Sequence, residues 1–170
     1  MKWILFTGTW RLVNQYVETD VRKAVRDVVS SGNGIVTGGA TGVDYFVMDE
    51  YLKLDPDCRK LRIFIPARVD HFICDYHENW CEYPVTHELI DDLHVVLKKI
   101  KEANPAAVFE FRKESGEITQ EEYSLRHDEE VAFSDEVYAF QVNDSLGTQD
   151  TVDKAKAAGL PIVVHKKYTI

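Results

Sequence analysis

A chain of 170 residues with 45% hydrophobic and 29% charged residues has the balance of one globular domain with one sizeable core. Its formal net charge of −9 repels phosphate backbones, so extended nucleic acid is not an expected partner, whereas a small anion held by local donors is compatible with it. No apolar run reaches the roughly 18 residues of a membrane span; the apolar start is too short for a signal peptide, and three cysteines argue against a disulfide framework, so a cytoplasmic protein is expected.

Lys2–Phe6 reads as a first strand, punctuated by Thr7-Gly8-Thr9. From about Tyr16 to Ser31, apolar residues recur at Val17, Val21, Ala24, Val25, Val28 and Val29, a helical spacing, with Asn14 as N-cap and Gly32 and Gly34 as the stop. Ile35–Thr37 is a second strand. A helix follows from about Val43 to Leu54 and stops at Asp55-Pro56-Asp57. Leu61–Ile65 is a third strand closed by Pro66, and β-α-β-α-β with short links implies parallel pairing.

Residues 67–120 are the irregular part, expected as a helical insertion. Leu89, Leu93, Val96, Leu97 and Ile100 form a helical stripe, Ala107–Phe111 reads as a short strand, and Lys113–Glu117 as a turn. Thr119 and Glu122 have capping-box spacing for a helix running to about Ser134. Its acidic stretch Glu121–Glu130 reads as a solvated face. Glu136–Val142 is a strand, Thr148–Ala158 a helix ended by Gly159, and Leu160–Val164 the last strand. The expected architecture is a single α/β domain over residues 1–170: a three-layer open sheet, mostly parallel.

Ligands bind such sheets at the carboxyl ends of the strands, where the topology reverses. Three loops fall on that edge: Thr7–Arg11, Thr37–Asp44 and Asn143–Gln149. All three place Gly next to Thr, and the last two open helices, where backbone N–H groups can cradle a phosphate. Candidate ligand residues are Gly8, Thr9, Arg11, Gly38, Gly39, Ala40, Thr41, Gly42, Asp44, Ser145, Gly147 and Thr148. Arg11 either grips phosphate bidentately or is a surface charge. Asp44 either holds a ribose hydroxyl or serves the start of its helix. Ser145 and Thr148 either offer hydroxyls or cap. His71, Cys74, His77 and Cys81 have zinc-ligand types, but one helix cannot aim all four at one ion, and the aromatics between them favour packing; no metal and no cofactor are expected.

Thr37-Gly38-Gly39-Ala40-Thr41-Gly42-Val43-Asp44 resembles the G-G-A-x-G-x-D segment of the SLOG superfamily, Rossmann-like proteins that include the Lonely Guy phosphoribohydrolases and the DNA-processing protein A group. Arg126–Asp135 is similar to the family's arginine-led helix ending in Ser/Ala-Asp, and Asp144–Thr148 to its Gly-Thr loop. The resemblance covers most of the chain outside 67–120 and is nearest to the small stand-alone branch. It implies a Rossmann-like fold, a nucleotide or nucleotide-derived ligand and a homodimer, and a single domain binding such a ligand is expected to act as a sensor or sequestering protein. The departures bear on activity. Lonely Guy enzymes carry P-G-G-x-G-T-x-x-E, and Thr151 stands here where that glutamate, implicated in hydrolysis, would be. The alternative reading is a hydrolase of the N-glycosidic bond of a nucleoside monophosphate. It would use Arg126, which the resemblance implies, and a carboxylate taken from Asp150, Asp144 or Asp44. In the binding reading Phe72, Tyr76, Trp80 and Tyr83 of the 67–120 stretch are available to cover a base.

Overall fold

The computed structural model describes residues 1–111 and 116–170. Side-chain alternation sets the sheet's two faces. In β1 (Trp3–Gly8), Ile4 and Phe6 enter the larger core cluster and Leu5 the smaller one on the opposite face. β2 (Gly34–Thr37) repeats the rule with Ile35 against Val36. So does β3 (Leu61–Ile65), with Ile63 and Ile65 against Phe64.

α1 (Gln15–Ser30) starts at Asn14, whose side chain accepts the Tyr16 and Val17 N–H groups. It buries Val17, Val21, Val25 and Val28. Each valine costs up to ~0.7 kcal/mol of helix propensity, but its burial contributes at least ~1.5 kcal/mol, so packing decides the helix. α2 (Val43–Leu54) lies beside it on the same face, and α4 (His87–Ala103) follows with Leu93, Leu97 and Ile100 buried. α5 (Gln120–Phe133) and α6 (Leu146–Ala157) cover the other face through Val131 and Ala155. The capping box is formed: the Glu122 N–H donates to Thr119 Oγ1 at 3.3 Å, and the Thr119 N–H to Glu122 Oε2 at 2.7 Å.

The sheet order is β4-β3-β2-β1-β5-β6 and every pairing is parallel. The fold is the expected open three-layer Rossmann-like sheet. The stretch expected as an insertion supplies its outermost strand: after α3 (Val69–Asp75) and a π-helical turn (Tyr76–Trp80), α4 crosses over to β4 (Val108–Glu110). The crossover is held where Glu110 accepts the Val69 N–H at 2.9 Å and pairs with Lys101 at 2.8 Å. The turn expected around 113–117 lies largely outside the described residues. β5 is Glu136–Val142. β6 (Ile162–Tyr168) starts later than expected, because Pro161 has no N–H to donate and only its carbonyl joins the ladder, and it runs further, pairing with β5 as far as Val142 opposite Tyr168. No helix among the described residues is long and apolar enough to cross a membrane.

From β1 the chain builds outward to β4, then returns to lay β5 on the other side of β1. The switch point is therefore between β1 and β5, and the three Gly-Thr loops gather at its carboxyl end. Gly42 ties two of them. It holds φ 68°, and a Cβ there would run into the carbonyls of Thr9 and Trp10. Gly42→Ala should therefore cost about 2–4 kcal/mol in denaturant unfolding. Gly147→Ala, where a Cβ meets nothing within 4 Å, should leave stability unchanged or slightly raised. Equal midpoints for the two variants would contradict this account of the loop.

Candidate functional site

A cavity of about 610 Å³ opens at the switch point, within the range of small-molecule sites. Thr7 and Gly8 reach it from the end of β1, Ala40 from the loop after β2, Asp44 from the first turn of α2, Ser145 from the loop after β5, and Leu146 and Gly147 from the first turn of α6. α5 adds Gln120, Tyr123, Arg126, His127 and Glu130, and the π-helical turn adds Tyr76 and Trp80. The first turn of α6 leaves N–H groups without intrahelical partners, and the Ser145 side chain makes no capping bond to them. That end of the helix carries the positive pole of its dipole.

The floor is charged and buried. Arg126 donates through Nη1 to the Gly38 carbonyl at 2.9 Å and through Nη2 to His127 Nε2 at 3.0 Å. Its Nε lies 3.1 Å from Glu130 Oε1, out of line, so neither atom is hydrogen bonded. Asp44 Oδ2 accepts the Ala40 N–H at 3.1 Å. Gly38 makes this cluster fit: a Cβ there would stand 2.7 Å from Glu130 Oε1, 2.9 Å from Arg126 Cζ and 2.9 Å from Asp44 Oδ2. Burial pushes Glu130 up to about 8 against the pull of Arg126, and burial also raises Asp44. Burial works against the charge on Arg126, but Glu130 and Asp44 hold its proton more firmly still. His127 accepts from Arg126 at Nε2, so its proton sits on Nδ1 and is donated to Asp150 Oδ2 at 2.8 Å. Burial, helped by the Arg126 charge, lowers His127 to about 4, which keeps it neutral.

The wall is aromatic and has one organiser. Asp75, buried at the end of α3, accepts from Asn79 Nδ2 at 3.0 Å, Trp80 Nε1 at 3.0 Å and the Tyr123 hydroxyl at 3.1 Å. Trp80 meets Tyr123 edge-on at 6.1 Å and Trp10 at 5.5 Å. The Arg126 guanidinium lies 5.7 Å from the Tyr123 ring centroid, joining wall to floor.

Of the expected residues, Gly8, Ala40, Asp44, Arg126, Ser145 and Gly147 line the cavity. Thr9 and Thr41 brace the loops instead: Thr9 Oγ1 accepts the Val142 N–H at 2.8 Å, and Thr41 Oγ1 donates to the Trp10 carbonyl at 2.7 Å. Gly39 rests against Ile63 and Ile65. Thr148 is buried beneath the helix start, where its hydroxyl donates to Ser145 Oγ at 3.2 Å. Arg11 lies off the cavity wall and pairs with Glu82 at 2.7 Å. Asp150 is turned to His127 and Lys154. Thr151 is fully buried and its hydroxyl donates back to the Gly147 carbonyl at 3.2 Å, so no carboxylate stands at that position. His71, next to Gly116, and His77, next to His87 and Asp91, point to different partners.

The reading of Glu121–Glu130 as a solvated face holds for Glu121, Asp128 and Glu129, which are exposed, and is corrected at Glu130. Glu130 is 2% exposed, because four residues separate it from Arg126 and both face inward. That spacing was the signal available in the sequence for Glu130. His127, Tyr123 and Trp10 carried no comparable signal.

The raised Glu130 has a sign that can be measured. The folded state keeps a proton that the unfolded chain loses above about 4.5, so stability falls as pH rises from there towards 8. Between pH 6.5 and 8 the wild type should lose about 1–2 kcal/mol relative to Glu130→Gln. Parallel pH profiles in thermal unfolding would contradict the burial of an ionisable group there.

No protein-family model and no curated protein sequence matches the chain. Solved structures do. DNA processing protein A from Helicobacter pylori, reported for its single-stranded DNA binding mode, superposes with TM-score 0.70 at 20% identity, covering 95% of this chain and 63% of that one. TM1055, a structural genomics target, superposes with TM-score 0.53 at 15% identity, covering 95% and 72%. This chain thus spans less than two thirds of the Helicobacter pylori protein. The likeness is one of fold, and it is the Rossmann-like fold that the SLOG resemblance implies.

Proposed function

We propose that the protein binds a small nucleotide or nucleotide-derived phosphorylated ligand in this cavity, as a sensor or sequestering protein. The observation that carries this reading is one cavity at the strand switch point with an aromatic wall, a charged floor and an uncapped helix start on its rim. Phosphate goes to the N–H groups of Leu146, Gly147 and Thr148, where dipole and donors favour an anion. The base lies along Trp10, Trp80 and Tyr123, which offer π-faces to any base. Arg126 is committed to Gly38, His127 and Glu130, so it shapes the floor rather than gripping phosphate. Of the carboxylates the hydrolase reading offers, Asp150 is held by His127 and Lys154 off the cavity wall, and Asp44, which lines the cavity, is tied to the Ala40 N–H. Single-stranded DNA, bound by the Helicobacter pylori protein, is disfavoured here by the net charge of −9.

A thermal-shift screen of nucleoside mono- and diphosphates, ADP-ribose and NAD should find at least one that raises Tm with concentration. Trp80→Ala should weaken that ligand about 5- to 100-fold, the range of one base–aromatic stack, while leaving inorganic phosphate binding unchanged. A screen in which nothing shifts Tm would overturn the binding reading. A concentration-dependent loss of N-glycosidic bond in the same samples would replace it with the hydrolase.

A further inference from the structure

On the ligand reading above, the floor of the cavity has a chemistry of its own. Glu130 is 2% exposed, lines the cavity and has an Oε1 with no hydrogen bond. Asp44 is 6% exposed, lines the same cavity and accepts the backbone N–H of Ala40 through Oδ2. Both carboxyl groups crowd the point where Gly38 has no side chain. That oxygen is closed off beside Arg126 Nε at 3.1 Å, so an occupant meets the floor where the two carboxyl side chains line the cavity. Two carboxyl groups against one guanidinium repel a phosphate. They suit hydroxyl groups, which donate to a carboxylate oxygen and accept from a carboxyl that keeps its proton.

In a nucleotide the sugar joins phosphate to base. With phosphate on the rim at α6 and the base on the aromatic wall, the sugar faces the floor between them. We infer that Glu130 and Asp44 read the sugar hydroxyls, so that the site takes a ribonucleotide and discriminates against its 2′-deoxy counterpart. The same pair adds a local reason for the cavity to refuse DNA. Arg126 acts through its neighbours here: by holding the Gly38 carbonyl and standing beside Glu130, it fixes where the two carboxyl groups meet.

The test uses the full chain and calorimetric titration with the four ribonucleoside 5′-monophosphates and their four 2′-deoxy counterparts. The ribonucleotide that binds best should bind at least about 10-fold tighter than its deoxy form, because a site built for a hydroxyl rejects a ligand lacking it. Glu130→Gln, and independently Asp44→Asn, should shrink that ratio below about 3-fold while inorganic phosphate binds as before. If one variant does not fold, the other carries the comparison. Equal wild-type affinity for the ribo and deoxy forms overturns the hydroxyl reading and leaves the ligand reading standing. A wild-type preference that neither variant changes also overturns it, since the hydroxyl is then read elsewhere. Failure of all eight to bind overturns the hydroxyl reading for a monophosphate, and the ligand reading falls only if the wider screen is also empty.

Discussion

The buried guanidinium of Arg126 is the constraint on which the site depends. A charge taken out of water is tolerated only if its donors are satisfied and opposite charge stands close. Here α5 carries the arginine, the loop after β2 offers the Gly38 carbonyl, the next residue offers His127 Nε2, and the carboxyl pair of Glu130 and Asp44, which burial keeps from ionising together, brings the countercharge. Two stretches far apart in sequence, α5 and the segment from Gly38 to Asp44, must come together for that ion to be stable. Removing one partner leaves a buried charge uncompensated, a loss of about 3–5 kcal/mol. The cluster therefore fixes the relation of α5 to the Gly loop, and with it the shape of the cavity.

Topology explains why this happens at one edge. All strands run in parallel, so every strand-to-helix loop lies at their carboxyl ends, and the reversal between β1 and β5 opens a crevice there. Thr9 closes the gap from below by accepting the Val142 N–H from the end of β5, while Gly42 lets α2 begin against the Thr9 carbonyl. The aromatic wall is set from the other side by Asp75, one carboxylate that holds Asn79, Trp80 and Tyr123 together. His127 and Asp150 join α5 to α6 with a neutral imidazole, so the α6 start is anchored without adding positive charge to the floor.

Much of the fold was legible because it obeys local periodicity. The valine stripe of α1, the Thr119–Glu122 capping box and the Ile35–Asp44 strand-loop-helix pattern each depend on neighbours in sequence, and each is where the pattern put it. Residues 67–120 were harder. α3 spans only seven residues and runs into a π-helical turn, too short for a period to show. The site was legible as loops but not as chemistry. Glu130 sits in an acidic run whose bulk charge signals solvent, and only its spacing from Arg126 says otherwise. Arg11 reads like a phosphate ligand because it follows a Gly-Thr turn, yet its partner Glu82 is 71 residues away, a contact that no local pattern encodes.

The most direct measurement is amide and indole chemical-shift mapping of the labelled protein as the most stabilising nucleotide is titrated in. The account predicts saturating shifts at the amides of Leu146, Gly147 and Thr148 together with the indole N–H groups of Trp10 and Trp80, at one common affinity. Saturating shifts confined to another surface, or none at millimolar nucleotide, would contradict a nucleotide site at the β1–β5 switch point.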